Sequence, residues 1–173
     1  MYTVRCTRKL LRAVRFVPGG SDRPTTTALG DWYANTLYLG RLRLIHFLSE
    51  RSLLSVVVPL KPSKTCLKRH RVALIRLLRD LQLDQPLAQE ELTQMESCAI
   101  GLTASRSILS SLRVLSNDAK WVLTARPETS LPQLNLELAD TPCLTLPIHF
   151  PNQMTRVLLE THYPSPNPTV RAA

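Results

Sequence analysis

Four residues far apart in the chain have side chains suited to polar catalysis: Asp31, Tyr33, Arg106 and Cys143. Asp31 stands in Leu29-Gly30-Asp31-Trp32-Tyr33-Ala34-Asn35, the most distinctive stretch of the sequence. A carboxylate buried beside aromatic rings is raised in pKa and can act as a general base. Aromatics on a basic surface can instead stack on nucleotide bases. The same residues also make a turn, in which Gly30 permits a positive φ, Asp31 accepts backbone amides and Trp32 anchors the core. The turn is the favoured reading, so Trp32 is expected to be buried and Asp31 to bind N–H groups where the first long strand begins. Arg106 lies in Thr103-Ala104-Ser105-Arg106-Ser107, a polar run opening a helix, which suits an anion site or a plain N-cap. Cys143 with His149 sketches a thiol nucleophile and its base. Gathered in one pocket, the four would make a hydrolase for a phosphate-bearing substrate.

A second set of residues suggests binding without chemistry. Lys68, Arg69, Arg76 and Arg79 fall on one side of an amphipathic helix, with Asp80 the one acid near them. Such a face can meet a phosphate backbone, or simply water. The net charge is +9, unevenly placed: residues 1–85 carry 16 Lys/Arg and 5 Asp/Glu, whereas residues 86–173 carry 6 and 8. A field of that sign favours acidic or phosphate-rich partners. The leading expectation is therefore a basic, non-enzymatic binding protein for nucleic acid or an acidic protein partner. The hydrolase is the alternative, and a regulatory or defence-related module that binds another protein is a third reading.

Several function classes find no support. The chain has five glycines and no G-x-G-x-x-G, P-loop or G-x-S-x-G pattern, so no nucleotide-cradling loop is expected. His46 reads as a sheet residue and His70 as a solvated residue of the basic helix, and no two histidines have zinc-hydrolase spacing. Cys6, Cys66, Cys98 and Cys143 are too widely spaced for a local zinc site and read as reduced, mostly buried thiols. No metal and no cofactor are expected. No apolar run approaches a membrane span of about 18 residues. The arginine-rich first 21 residues imitate a transit peptide but open with a strand-like run, so a cytoplasmic location is expected.

The elements that must carry these residues are legible in part. At 173 residues, one core suffices. Tyr2-Thr3-Val4-Arg5-Cys6 is a short strand, and Thr7 caps a helix through Val14. Residues 33–58 read as a three-stranded meander, with Gly40-Arg41 as one turn and Pro59 as its stop. Leu67, Leu74, Leu77, Leu78 and Leu81 define a helix over 64–81. A second helix follows from Pro86 to Ser97 and a third over 105–124. Leu134, Leu136 and Leu138 alternate like a final strand, and Met154–Glu160 makes a short helix. The expected fold is one α+β domain over residues 1–162, a mainly antiparallel sheet covered by helices. Residues 163–173 are expected to be a proline-rich, disordered tail.

The chain resembles a bacterial family known as a domain of unknown function. The resemblance rests on Cys6-Thr7-Arg8-Lys9-Leu10-Leu11, Thr26-Thr27-Ala28-Leu29-Gly30-Asp31-Trp32-Tyr33-Ala34-Asn35 and Ser49-Glu50-Arg51-Ser52-Leu53-Leu54. Arg106-Ser107-Ile108-Leu109, Leu134-Asn135-Leu136 and Asp140-Thr141-Pro142-Cys143 extend it along most of the chain. The chain departs from the family pattern at Ser110-Ser111-Leu112-Arg113-Val114, where the family tends to read Gly-Ser-Met-Asn-Asp. The resemblance implies a single domain and no established reaction.

Overall fold

The first strand is an interior strand of the sheet, although its five residues make it one of the shortest. In the structure, a computed structural model that describes residues 1–19 and 24–163, β1 (Tyr2–Cys6) is followed by α1 (Arg8–Val14). Thr7 caps α1 through its side chain, and Arg15, at φ 59°, ends it in the left-handed region. The expected meander is present as β2 (Trp32–Leu39), β3 (Leu42–Ser49) and β4 (Ser55–Pro59), paired antiparallel. Gly40 makes the β2–β3 turn with φ 54°, the backbone that glycine adopts without steric cost.

The sheet is not a pure meander. Its order is β4-β3-β2-β1-β5, and β1 pairs parallel with both β2 and β5 (Cys98–Leu102). The sheet is therefore mixed and mostly antiparallel, as expected in its β2–β3–β4 part, with two parallel ladders added by β1. Strand β5 has no alternating pattern to announce it, since Cys-Ala-Ile-Gly-Leu is short and lies at the sheet margin.

Helices cover both faces. The side chains of Trp32, Ala34, Ile45, Phe47, Val56 and Val58 point to one face, under α1, α2 (Cys66–Asp80), α3 (Gln85–Gln94) and α6 (Pro151–His162). Those of Tyr33, Leu37, Leu44, Leu48 and Val57 point to the other, under α4 (Arg106–Ala125). Helix α4 runs unbroken through Asn117 and Asp118, because Leu112, Leu115, Ala119, Val122 and Leu123 keep a continuous apolar stripe.

Two expectations fail here for physical reasons. Leu134, Leu136 and Leu138 lie on a helix, α5 (Leu131–Ala139), and not on a strand. Ser130 and Gln133 form a capping box and Pro132 fits the first turn, so local capping outweighs the two-residue alternation. Leu134, Asn135, Leu138 and Ala139, spaced as one helical face, are the residues that α5 buries. Its Asn135 accepts the Val57 amide at 2.8 Å and donates to the Val57 carbonyl at 3.4 Å, closing the open edge of β4. His70, expected in solvent, is buried on the inner side of α2, stacked on Phe47 with ring centroids 4.2 Å apart and edge-on to Trp32 at 4.5 Å. It falls one turn before Leu74 on the apolar arc, so helix period places it inward. Of the expected tail, only Tyr163 lies among the described residues, and its hydroxyl donates to Glu91 at 2.7 Å.

Trp32 is fully buried, as its place in the turn implies. Trp32→Ala should destabilise the fold by about 3–5 kcal/mol, read as a lower urea midpoint; an unchanged midpoint would show that the ring is not part of the core. Asp31→Asn should cost about 1–2 kcal/mol, the scale of a charged hydrogen bond on a partly exposed partner.

Candidate functional site

The Gly30-Asp31-Trp32 stretch is bonded into the framework of the fold. Asp31 Oδ1 accepts the Thr3 amide at 3.0 Å, and Oδ2 accepts from Arg5 Nε at 2.9 Å. The preceding Ala28 and Leu29 amides donate to Glu91 at 2.7 and 3.1 Å. Burial raises the pKa of that carboxyl, and its hydrogen bonds from Tyr163 and these amides oppose the rise. Gly30 holds φ 78°, a backbone that other residues rarely adopt, and a side chain there would also have to displace Arg51, whose Cγ lies 3.0 Å from where that side chain's Cβ would stand.

The four proposed catalytic residues do not meet in one cavity. Tyr33 lies inside the apolar cluster under α4, with its hydroxyl accepting the Ser105 amide at 3.1 Å. Cys143 joins the same cluster, but its thiol donates to the Thr141 carbonyl at 3.6 Å, and burial pushes its pKa up. His149 touches it only through backbone, its carbonyl accepting the Cys143 amide at 2.6 Å. A buried thiol without a base is a poor nucleophile. Asp31 is tied to β1, Cys143 lines a separate cavity with Leu115 and Asp118, and Arg106 opens onto a polar groove.

That groove lies between α1 and α4, beyond the end of β1, with a volume of about 460 Å³. Its cations are Lys9, Arg106, Arg113 and Lys120, and among the described residues no carboxylate lines it. Two caps fix its walls. The Thr7 amide donates to the Ala34 carbonyl at 3.0 Å and its hydroxyl to Asn35 Oδ1 at 2.8 Å, setting α1 against β2. Ser105 caps α4 by accepting the Ile108 amide at 3.3 Å while its own amide reaches Tyr33. Arg106, Arg113 and Lys120 recur every seven residues, which puts them on one side of α4 about 10 Å apart. Lys9 Nζ rests 4.6 Å from the Tyr38 ring centroid, a cation–π contact that holds it at the rim. None of the four forms an ion pair among the described residues. Four cations without counter-charge in one concavity give it a positive potential that favours anions.

The basic side of α2 is less free. Arg69 donates to the Pro59, Leu60 and Pro62 carbonyls and to Thr65, bracing the loop before the helix. Arg76 lies 3.6 Å from Asp80. Lys68 and Arg79 remain exposed on the opposite layer of the molecule from α4.

Ser116, on the groove wall, has its hydroxyl 2.8 Å from His46 Nδ1, and His46 Nε2 is 2.9 Å from Ser55 Oγ. The imidazole is fully buried, and desolvation drags its pKa to about 3. It is therefore a neutral connector between β3, β4 and α4. Among the described residues no three His, Cys, Asp or Glu side chains cluster as a metal site, and no helix is long and apolar enough to cross a membrane. Three of the cysteines are buried and Cys98 is exposed.

With the geometry in place, comparison with known proteins adds a family. The chain belongs to the family described as Domain of unknown function (DUF6933). Its model matches residues 3–154, from β1 into the first turn of α6, and so takes in both walls of the groove. No curated protein and no solved structure matches the chain.

Sequence reasoning located Arg106 but not its companions. The signal was present: a seven-residue repeat of cations on a helix whose other side is leucine-rich. Lys9, about a hundred residues away, had no local mark.

Two buried histidines make stability depend on pH. Desolvation lowers both, His46 to about 3 and His70 to about 3, with Arg71 adding to the second. Because the folded pKa lies below the unfolded value of about 6.5, stability is full above pH ~6.5 and declines toward pH ~3, by about 1.4 kcal/mol per pH unit for each histidine. Neither His70 nitrogen has a hydrogen-bond partner among the described residues. His70→Phe should therefore stabilise the protein by about 1 kcal/mol at neutral pH. Between pH 7.5 and pH 5 the variant should also lose about 2 kcal/mol less than the parent. Parallel losses in urea titrations at the two pH values would mean that His70 does not titrate on unfolding.

Proposed function

We propose that this protein is a non-enzymatic binding protein whose α1–α4 groove takes the phosphate backbone of a nucleic acid. The observation that supports the reading is the groove's lining: Lys9, Arg106, Arg113 and Lys120, unpaired among the described residues and without a carboxylate beside them. Cations on fixed elements attract a polyanion and release its counterions, so the binding is electrostatic and depends on salt. The overall charge of +9 acts in the same direction at longer range. An acidic protein segment is the partner left if nucleic acid fails.

Hydrolysis of a phosphate-bearing substrate has one observation in its favour, the Ser116 hydroxyl bonded to His46 at the groove wall. Two facts weaken it. A ring with its pKa near 3 is a weak base for a hydroxyl proton. Ser55, not a carboxylate, stands behind the ring, so an imidazolium would find no counter-charge. Release of phosphate or cleaved oligonucleotide by the parent, lost in Ser116→Ala, would establish that reading over ours.

Mobility-shift titrations with RNA and DNA test the binding reading. With four phosphate contacts, affinity should fall about 50- to 150-fold between about 50 mM and about 200 mM salt. Joint substitution Arg113→Ala and Lys120→Ala should weaken binding and reduce the salt slope by about 2. Joint substitution Lys68→Ala and Arg79→Ala, on the far layer, should change the slope by less than half as much. No binding to either nucleic acid at the lower salt would overturn the proposal and leave the acidic-protein partner.

A further inference from the structure

The two tryptophans of this chain have opposite fates. Trp32 is fully buried, whereas Trp121 on α4 is 69% exposed. A single exposed ring needs no partner by itself, but this one stands beside a row of cations. Trp121 adjoins Lys120 and sits one turn beyond Asn117, and both of those residues line the cationic groove. In helical projection it lies about 40° from Asn117 and flanks the stripe Arg106–Arg113–Lys120. An aromatic face therefore stands beside a row of cations along one helix.

Resting on the nucleic-acid reading above, we infer that the groove selects single-stranded nucleic acid, with a base stacked on Trp121 while the backbone follows Arg106, Arg113 and Lys120. A duplex keeps its base faces inside the stack and turns its phosphates outward. A ring beside the phosphate track cannot reach a base face there. A single strand can splay a base from the same track onto the ring, and stacking of this kind tolerates any base. Deoxyribose and ribose strands share this chemistry. Val114, 57% exposed and two turns earlier, extends the apolar side toward what a protein interface would need. Asp118 stands three residues before Trp121, but the three cations of the adjoining row outnumber it and favour the polyanion instead.

The test uses the full chain with four probes: 20-mers of oligo-dT and oligo-U, a mixed-sequence DNA duplex of the same length, and heparin, a polyanion without bases. Trp32 is shielded in the core, so quenching of intrinsic fluorescence reports Trp121. Oligo-dT and oligo-U should bind and quench, tighter binding of one identifying the natural strand, while heparin should bind without quenching. Trp121→Ala should lose about tenfold in affinity for both single strands and none for heparin, and Trp121→Phe should recover most of the loss. Equal affinity of parent and Trp121→Ala for single strands, or tighter binding of the duplex, would overturn the stacking inference while leaving the groove reading intact. Binding to none of the probes would overturn both. Self-association in sedimentation that Trp121→Ala abolishes, with single-strand affinity unchanged, would make the ring a protein interface and also overturn the inference.

Discussion

The carboxylate of Asp31 lies between β1 and the head of β2, taking the Thr3 amide on one oxygen and the Arg5 guanidinium on the other. Antiparallel strands joined by a tight turn have their register set by the turn. The parallel pair β1–β2 has no such turn, so its register, Val4 opposite Trp32, has to come from side chains. Asp31 supplies it from one side. Glu91 holds the Ala28 and Leu29 amides from the other, so the chain enters β2 in a single position. The next residues then transmit that position outward. Ala34 and Asn35 bind Thr7 and set α1, and Tyr33 binds Ser105 and sets the start of α4. The distance between the two groove walls thus follows from where β2 begins.

The interior combines strict and loose treatment of polar groups. His46 is satisfied at both nitrogens by serines from a strand and a helix, and it links layers. His70 and the Trp32 indole nitrogen are buried without hydrogen-bond partners among the described residues. Ring contacts take the place of hydrogen bonds in that cluster, with Phe47 stacked on the imidazole and Trp32 edge-on to it. Such a neutral imidazole fills space as an aromatic does, at the cost of its unmade hydrogen bonds. The pH liability has another source: burial denies water to an imidazolium, and Arg71 repels it.

Charge is arranged differently in space than along the chain. By sequence the excess of cations belongs to residues 1–85, yet three of the four groove cations come from the half with more acids than bases. Among the described residues none of the acids of that half is ion-paired with them. Glu91 is buried at the 27–31 turn, and Glu137 pairs with Arg126 beyond the far end of α4. Arginines of the first half are in turn engaged internally, Arg5 on Asp31 and Arg69 on loop carbonyls. Net charge by segment is a poor guide to where a field is strong, because pairing and burial decide which charges face water.

Local chemistry was enough for much of this fold. Thr7 as a cap, the β-rich run before Pro59, the leucine arc of α2 and the stripe of α4 each depend on residues within a few positions of one another, so the sequence by itself determined those elements and the burial of Trp32. Where two local signals competed, at Leu134 to Leu138, alternation and four-residue spacing were both satisfied, and the capping box at Ser130 settled the outcome for a helix. Only the tertiary structure decided that β1 lies between β2 and β5, that Asn135 closes the edge of β4, that His70 belongs to the core, and that Lys9 faces Arg106, Arg113 and Lys120 across a groove. Each of these brings together residues tens of positions apart. Pairing at that range is governed by which surfaces fit once the layers assemble, and no residue type or spacing within one element records it.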